Sequence, residues 1–338
     1  MNSRRMQPRP PTNIKIAAVI AALIPALAHF AAAQIPTASP WPFGTPAPAQ
    51  TPGALPFSSP AMGAADNSEP PRDAPLVEKS WDDLSNKEVG DYGQLALSVK
   101  PQDWKHAETD NFILHYRRAT EARKVAREIE YDLWFVAKSL GATPAQYRHK
   151  SHVFIFRDEV EWEKFLADTR EPMWSASFAM RDELFLNVRS DGNGDPFDSH
   201  LLAHETTHAV VARLYPFEHW PVWLNEGFAE YMGGASVAAR HHEPVKGFQR
   251  DLTLADLPLD DLFKVSVYPK EEDKVYQLYQ TSEKFVRFLM NDLPQERFRK
   301  YVTTVLATQD PKQAFLTVYG DKFKDFDAFE KKFKDFSK

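Results

Sequence analysis

The sequence predicts an α+β fold, a small mixed sheet with an edge strand early in the chain followed by a mainly helical C-terminal part. Two observations carry that expectation. Runs with strand patterning fall between Asn111 and Val188, and helical periodicity takes over from Ser199. No internal repeat is visible, and 338 residues suffice for one or two domains.

The elements follow in order. Asn111–Arg117 alternates as a strand does. Thr120–Leu140 places Val125, Ile129, Leu133 and Val136 at helical spacing, with Gly141 as a stop. His152–Phe156 reads as a buried strand and Asp158–Ala167 as a helix with an acidic first turn. Ser175–Met180 and Leu184–Val188 are expected to form a hairpin around Arg181-Asp182-Glu183. Ser199–Leu214 is the next helix. Leu224–Met232 is another, expected to close at Gly233-Gly234. Helices over about Lys274–Leu293, Gln295–Ala307, Gln313–Tyr319 and Asp325–Phe336 complete the chain.

What precedes these elements has a different texture. Residues 1–33 combine Arg4, Arg5, Arg9 and Lys15 with the apolar stretch Ile16–Ala28 and the small residues Ala31-Ala32-Ala33, the pattern of a cleaved signal peptide. The stretch is short and broken by Pro25, so a spanning helix is the weaker reading. Residues 34–75 are rich in Pro, Ala, Ser and Gly and read as a disordered linker. Residues 76–338 are expected to form the folded domain. The protein is accordingly expected in the periplasm or outside the cell, without stable membrane insertion, and as a monomer.

Composition narrows the chemistry. The chain has no cysteine, so disulfides, thiolate ligands and a thiol nucleophile are excluded together. Loss of residues 1–33 would move the formal charge from -6 to -10. No basic cluster stands out, and nucleic acid is not an expected partner.

One segment concentrates the chemistry. Leu201–Val211 contains His204-Glu-Thr-Thr-His208, an HExxH pattern. On a helix, His204 and His208 lie one turn apart on one face, where two imidazoles can close on one zinc ion. Glu205 is rotated about 100° from His204, within reach of a metal-bound water. A catalytic zinc needs a third protein ligand, and Glu226, separated from His208 by 17 residues and lying in Trp223-Leu-Asn-Glu-Gly-Phe-Ala-Glu-Tyr231, is the candidate. Glu230, one turn further, can accept a proton from a ligand imidazole and so orient it. Gly227 and Ala229 are expected to let this helix pack closely against the histidine helix. One Zn2+ per chain is the cofactor expected.

These motifs resemble the gluzincin metallopeptidases, and most closely the bacterial peptidase MA-like family. The resemblance covers about Glu108–Asp335 and includes a strand ending in His115-Tyr116 and the Trp223-Leu-Asn-Glu-Gly227 segment. It implies a zincin-like fold, with His204, His208 and Glu226 as ligands, Glu205 as general base and Glu230 as supporting acid. It also implies that Ser175–Met180 is an edge strand pairing with the backbone of a peptide or protein substrate. A downstream tyrosine of some gluzincins donates to the oxyanion. Tyr279 is the candidate here, against the alternative of a buried helix tyrosine, and Tyr276 competes for the role. The exopeptidase motif of aminopeptidases is missing.

His200, one turn before His204, is expected to be structural, and His241-His242 to sit in solvent. Two other function classes fit the same residues: a zinc hydrolase acting on non-peptide bonds, and a non-catalytic binding module of the cell envelope. The latter would want a closed four-ligand site, for which the missing cysteines leave few donors.

Overall fold

The computed structural model describes residues 69–336 except 72–73, 144–145, 148, 172, 174, 189–197, 217, 243–244 and 246–252. The expected signal peptide and nearly all of the expected linker lie outside the described residues. The rest is an α+β arrangement in the expected order, a sheet first and helices after it.

Six strands build the sheet: β1 (Val77–Lys79), β2 (Lys105–Glu108), β3 (Phe112–Tyr116), β4 (Ser151–Phe156), β5 (Ser177–Met180) and β6 (Glu183–Asn187). Their spatial order is β1-β2-β3-β4-β6-β5. The central pairs β3–β4 and β4–β6 are parallel, and the outer pairs are antiparallel. Parallel neighbours need crossovers, supplied by helix α2 (Ala119–Ser139) and by α3 (Glu159–Thr169) with the hairpin that follows it. A further helix, α1 (Asp91–Ser98), precedes β2.

Every residue of β3, β4 and β6 is buried, because the sheet is covered on both faces. Val153 and Ile155 of β4 join a large core shared with the helices. Phe154 and Phe156, pointing the other way, join an aromatic cluster with Trp162, Phe165, Phe178 and Phe185. This cluster sits on α1 and α3 and fixes the β5–β6 hairpin through Phe178 and Phe185, whose rings stack at 5.0 Å.

The helical part comprises α4 (Ser199–Leu214), α5 (Val222–His241), a short α6 (Leu259–Leu262), α7 (Glu272–Asn291), α8 (Phe298–Thr308), α9 (Pro311–Tyr319) and α10 (Phe326–Asp335). Helix α4 has the bounds expected, set at its start by Asp198, whose side chain accepts from the amides of His200 and Leu201. Helix α4 packs on α2, on α5 and on β5, and α5 packs in turn on α7.

Two expectations about α5 are overturned. The helix does not close at Gly233-Gly234 but runs to His241, where His242 takes a left-handed conformation (φ 56°). Gly233 is a contact glycine: a Cβ there would stand 3.0 Å from the His200 carbonyl oxygen on α4. Gly227, expected to serve the contact with α4, faces α7 instead, and a Cβ would fall 2.4 Å from the Ser282 carbonyl oxygen. Backbone cannot retreat as a flexible side chain can, so Gly227→Ala should lower stability by about 2 kcal/mol. Urea unfolding checks this; wild-type stability would mean that α5 and α7 do not approach so closely.

Candidate metal centre

The histidines His200, His204 and His208 form a row along α4, and Glu226 and Glu230 form a matching row on α5. Packing of the two helices interleaves the rows. His204 Nε2 and His208 Nε2 are 3.1 Å apart, and Glu226 Oε2 lies 3.6 Å from each. Among the described residues this is the one trio whose ligand atoms can hold a metal ion.

The donors are prepared for that role. Glu226 is fully buried, and its Oε2 has no hydrogen-bond partner among the described residues, since 3.6 Å is too long for one. A buried carboxylate oxygen left open toward two imidazole nitrogens is a poor arrangement for a structural hydrogen-bond network and a fitting one for a cation. His204 Nδ1 lies 3.1 Å from Glu230 Oε2. With an ion in place of the Nε2 proton, donation from Nδ1 to that carboxylate would turn the Nε2 lone pair to the trio. Glu230 Oε1 also takes up His200 Nε2 at 2.8 Å, so this carboxylate bridges His200 and His204.

Charge tells the same story. Burial works against a charged imidazole at His204, but Glu226 and Glu230 outweigh it and lift His204 to about 10. Burial also works against ionised Glu226 and Glu230, yet the facing histidines hold both well below the usual carboxylate range. The two buried carboxylates thus rely on positive charge from the facing imidazoles, a part that a bound cation would take over.

Glu205 lines a cleft of about 270 Å³, whose walls also include Ser177, Ala179, His208, Trp220, Glu226 and Tyr268. Burial raises its carboxyl above the ordinary value, opposed by the charge of His204 and His208. The Ala179 amide faces the same carboxylate. Strand β5 is the sheet edge, and the Asn187 amide bonds the Ala176 carbonyl. Alternation along the antiparallel ladder therefore turns the backbone groups of Ser177 and Ala179 outward, to the cleft.

The downstream tyrosines take different places around the centre. Tyr279 is buried beside the centre, its ring stacked on His204 at 6.4 Å, but it does not line the cleft, and neither does Tyr276. Tyr268 does line it, and its hydroxyl donates to Glu226 Oε1 at 2.5 Å. The sequence offered little to find it: Tyr268 sits between α6 and α7 outside any periodic pattern, marked only by Pro269, which favours extended backbone before it. His241 and His242 are at the end of α5, away from the cleft lining.

No protein-family model matches this chain, and no curated protein matches it in sequence. The assignment of the centre rests on its geometry. The chain should take up one divalent transition-metal ion, and Glu226→Ala should abolish that uptake. Glu230→Gln, which leaves the ligands in place, should weaken affinity by roughly 10–100-fold. Titration against a competing chelator measures both. Full metal occupancy in Glu226→Ala would remove this residue from the ligand set.

Proposed function

We propose that this chain is an exported zinc-dependent peptide hydrolase, with His204, His208 and Glu226 as metal ligands and Glu205 as general base. The observation that carries this reading is the His204–His208–Glu226 triangle with Glu205 beside it on the cleft side. A tetrahedral ion with bonds of about 2.0–2.1 Å sets its ligand atoms about 3.3–3.4 Å apart. The spacings of 3.1, 3.6 and 3.6 Å bracket that value. Two imidazoles and one carboxylate suit zinc better than magnesium or calcium, which prefer oxygen throughout. Three protein ligands with one position left open are the pattern of a catalytic site, not a structural one.

When bound, zinc would supply a Lewis acid that lowers the pKa of a water and polarises a carbonyl. Glu205 takes a proton from the attacking water onto its carboxylate and delivers it to the nitrogen of the leaving amine, as the carbon–nitrogen bond breaks. Ser177 and the Ala179 carbonyl pair with an extended peptide, orienting its scissile carbonyl over Glu205, which the Ala179 amide holds. The Tyr268 hydroxyl, already at the cleft wall, donates to the developing oxyanion once a substrate displaces its bond to Glu226. The open strand edge favours a peptide over other hydrolysable bonds, since its donors and acceptors match an extended main chain.

Export is supported by the basic, apolar and small-residue order of residues 1–33. Among the described residues, no helix is long and apolar enough to cross a membrane.

Glu205→Gln should retain one zinc yet lose peptide hydrolysis by about two orders of magnitude or more. Near-normal turnover in that variant would remove Glu205 as the base. Tyr268→Phe should lower kcat by roughly 100-fold with little change in KM. An unchanged kcat would return the oxyanion role to another donor, Tyr279 first.

A further inference from the structure

A second concavity, of about 500 Å³, opens between residues 86–92 and the β5–β6 turn. Its floor is on the sheet face opposite α4, since His152 alternates with Val153 and shares its face with Phe154 and Phe156. The lining includes the carboxylates of Glu88, Asp91, Asp182 and Glu183, against Arg181 as its one arginine. Glu183 is committed to the start of α1, accepting from the Gly90 amide at 2.7 Å. Asp182 is held at the wall by His149 Nε2 at 2.7 Å and Ser151 Oγ at 3.4 Å.

An acidic lining alone would not define a site. The second observation is His152, which lines the same pocket, is 2% exposed, and has no hydrogen-bond partner for Nε2 among the described residues. Its other nitrogen ends a row of imidazoles crossing three strands. His106 Nδ1 meets His115 Nδ1 at 2.8 Å, and His115 Nε2 meets His152 Nδ1 at 2.9 Å. Burial lowers the pKa of all three, so each holds one proton near neutral pH. Two bonds among three neutral rings leave two tautomer patterns. In one, His152 Nδ1 donates along the row and Nε2 offers a lone pair to the pocket; in the other, Nε2 offers a proton. The half-buried His106 terminates the row at the far end, so the pattern can follow whatever occupies the pocket.

A donor with positive charge satisfies both the acidic wall and the first pattern. Among the described residues, only the His204 trio brings metal-ligating atoms close enough for an ion, so the donor is an organic cation. We propose that this pocket binds the guanidinium or ammonium group of a basic residue in a peptide lying along β5, with Asp182 and Glu88 as charge partners and His152 Nε2 as acceptor. The path rests on the hydrolase reading. Arg181 lines both this pocket and the cleft, and it follows Ala179 by two residues. Strand rise makes that about 7 Å, so the basic residue falls two or three positions from the bond to be cut.

The test uses zinc-loaded full-length Glu205→Gln protein and fluorescent peptides that differ only in arginine or norleucine at that position. The arginine peptide should bind roughly tenfold more tightly, the size expected for a charge-assisted hydrogen bond. Asp182→Asn and, separately, the exposed Glu88→Gln should each reduce the preference, while affinity for the norleucine peptide stays unchanged. Equal affinities, or a preference that survives both substitutions, would overturn the proposal. A second arm follows the His152 ring signals by NMR as N-acetyl-arginine amide is added to the wild-type protein. Cleavage of both peptides by wild type without preference, with His152 unmoved, would sink the basic-residue site and leave the hydrolase standing. Movement of His152 without binding or cleavage of either peptide would support the cation site and count against both the hydrolase and the β5 path.

Discussion

The fit of α4 against α5 is the constraint on which the rest depends. Three histidines on one helix and two glutamates on the other have the same one-turn period, so each glutamate sits between two imidazoles. Glu230 spans His200 and His204, and Glu226 spans His204 and His208. Both carboxylates are buried, where an unpaired charge would cost several kcal/mol. The helices are therefore bound in one register: a slide of one residue would turn both carboxylates away from the row. Gly233 permits the approach, because any side chain would meet the His200 carbonyl.

That register also explains how one sheet edge becomes part of the site. Helix α4 packs directly on β5, and β5 is anchored from behind by Phe178 in the aromatic cluster. The strand is thus held rigidly on one face while its free edge faces the cleft. Edge strands with open backbone groups invite unwanted pairing. Here the edge strand is only four residues long and packs beside α4.

Much of this was legible in the sequence because the strongest signals are local. The histidine helix is capped by Asp198 and carries the HExxH pattern among apolar neighbours, and its expected bounds coincide with the observed ones. The β5–β6 hairpin, with Arg181 in the left-handed region (φ 55°), falls where alternation and the charged Arg181-Asp182-Glu183 turn place it. The glycines of α5 were harder. A glycine pair after an apolar run reads as a helix stop, and only the neighbouring helices reveal that Gly227 and Gly233 are points of contact. Strands β1 and β2 and helix α1 are short and partly exposed, so their patterns are weak. Tyr268 reaches the centre by a loop path that no periodicity encodes.

The two concavities belong to different halves of the structure, one on each side of the sheet, and the β5–β6 hairpin is what they share. The cleft takes Ser177 and Ala179 from its edge; the acidic pocket takes Met180, Asp182 and Glu183 from its turn. Phe178 and Phe185 anchor that hairpin in the aromatic cluster. Glu183 extends the linkage by accepting the Gly90 amide at the start of α1, so the segment that roofs the acidic pocket is tied to the same turn. Both concavities are therefore walled in part by one short hairpin.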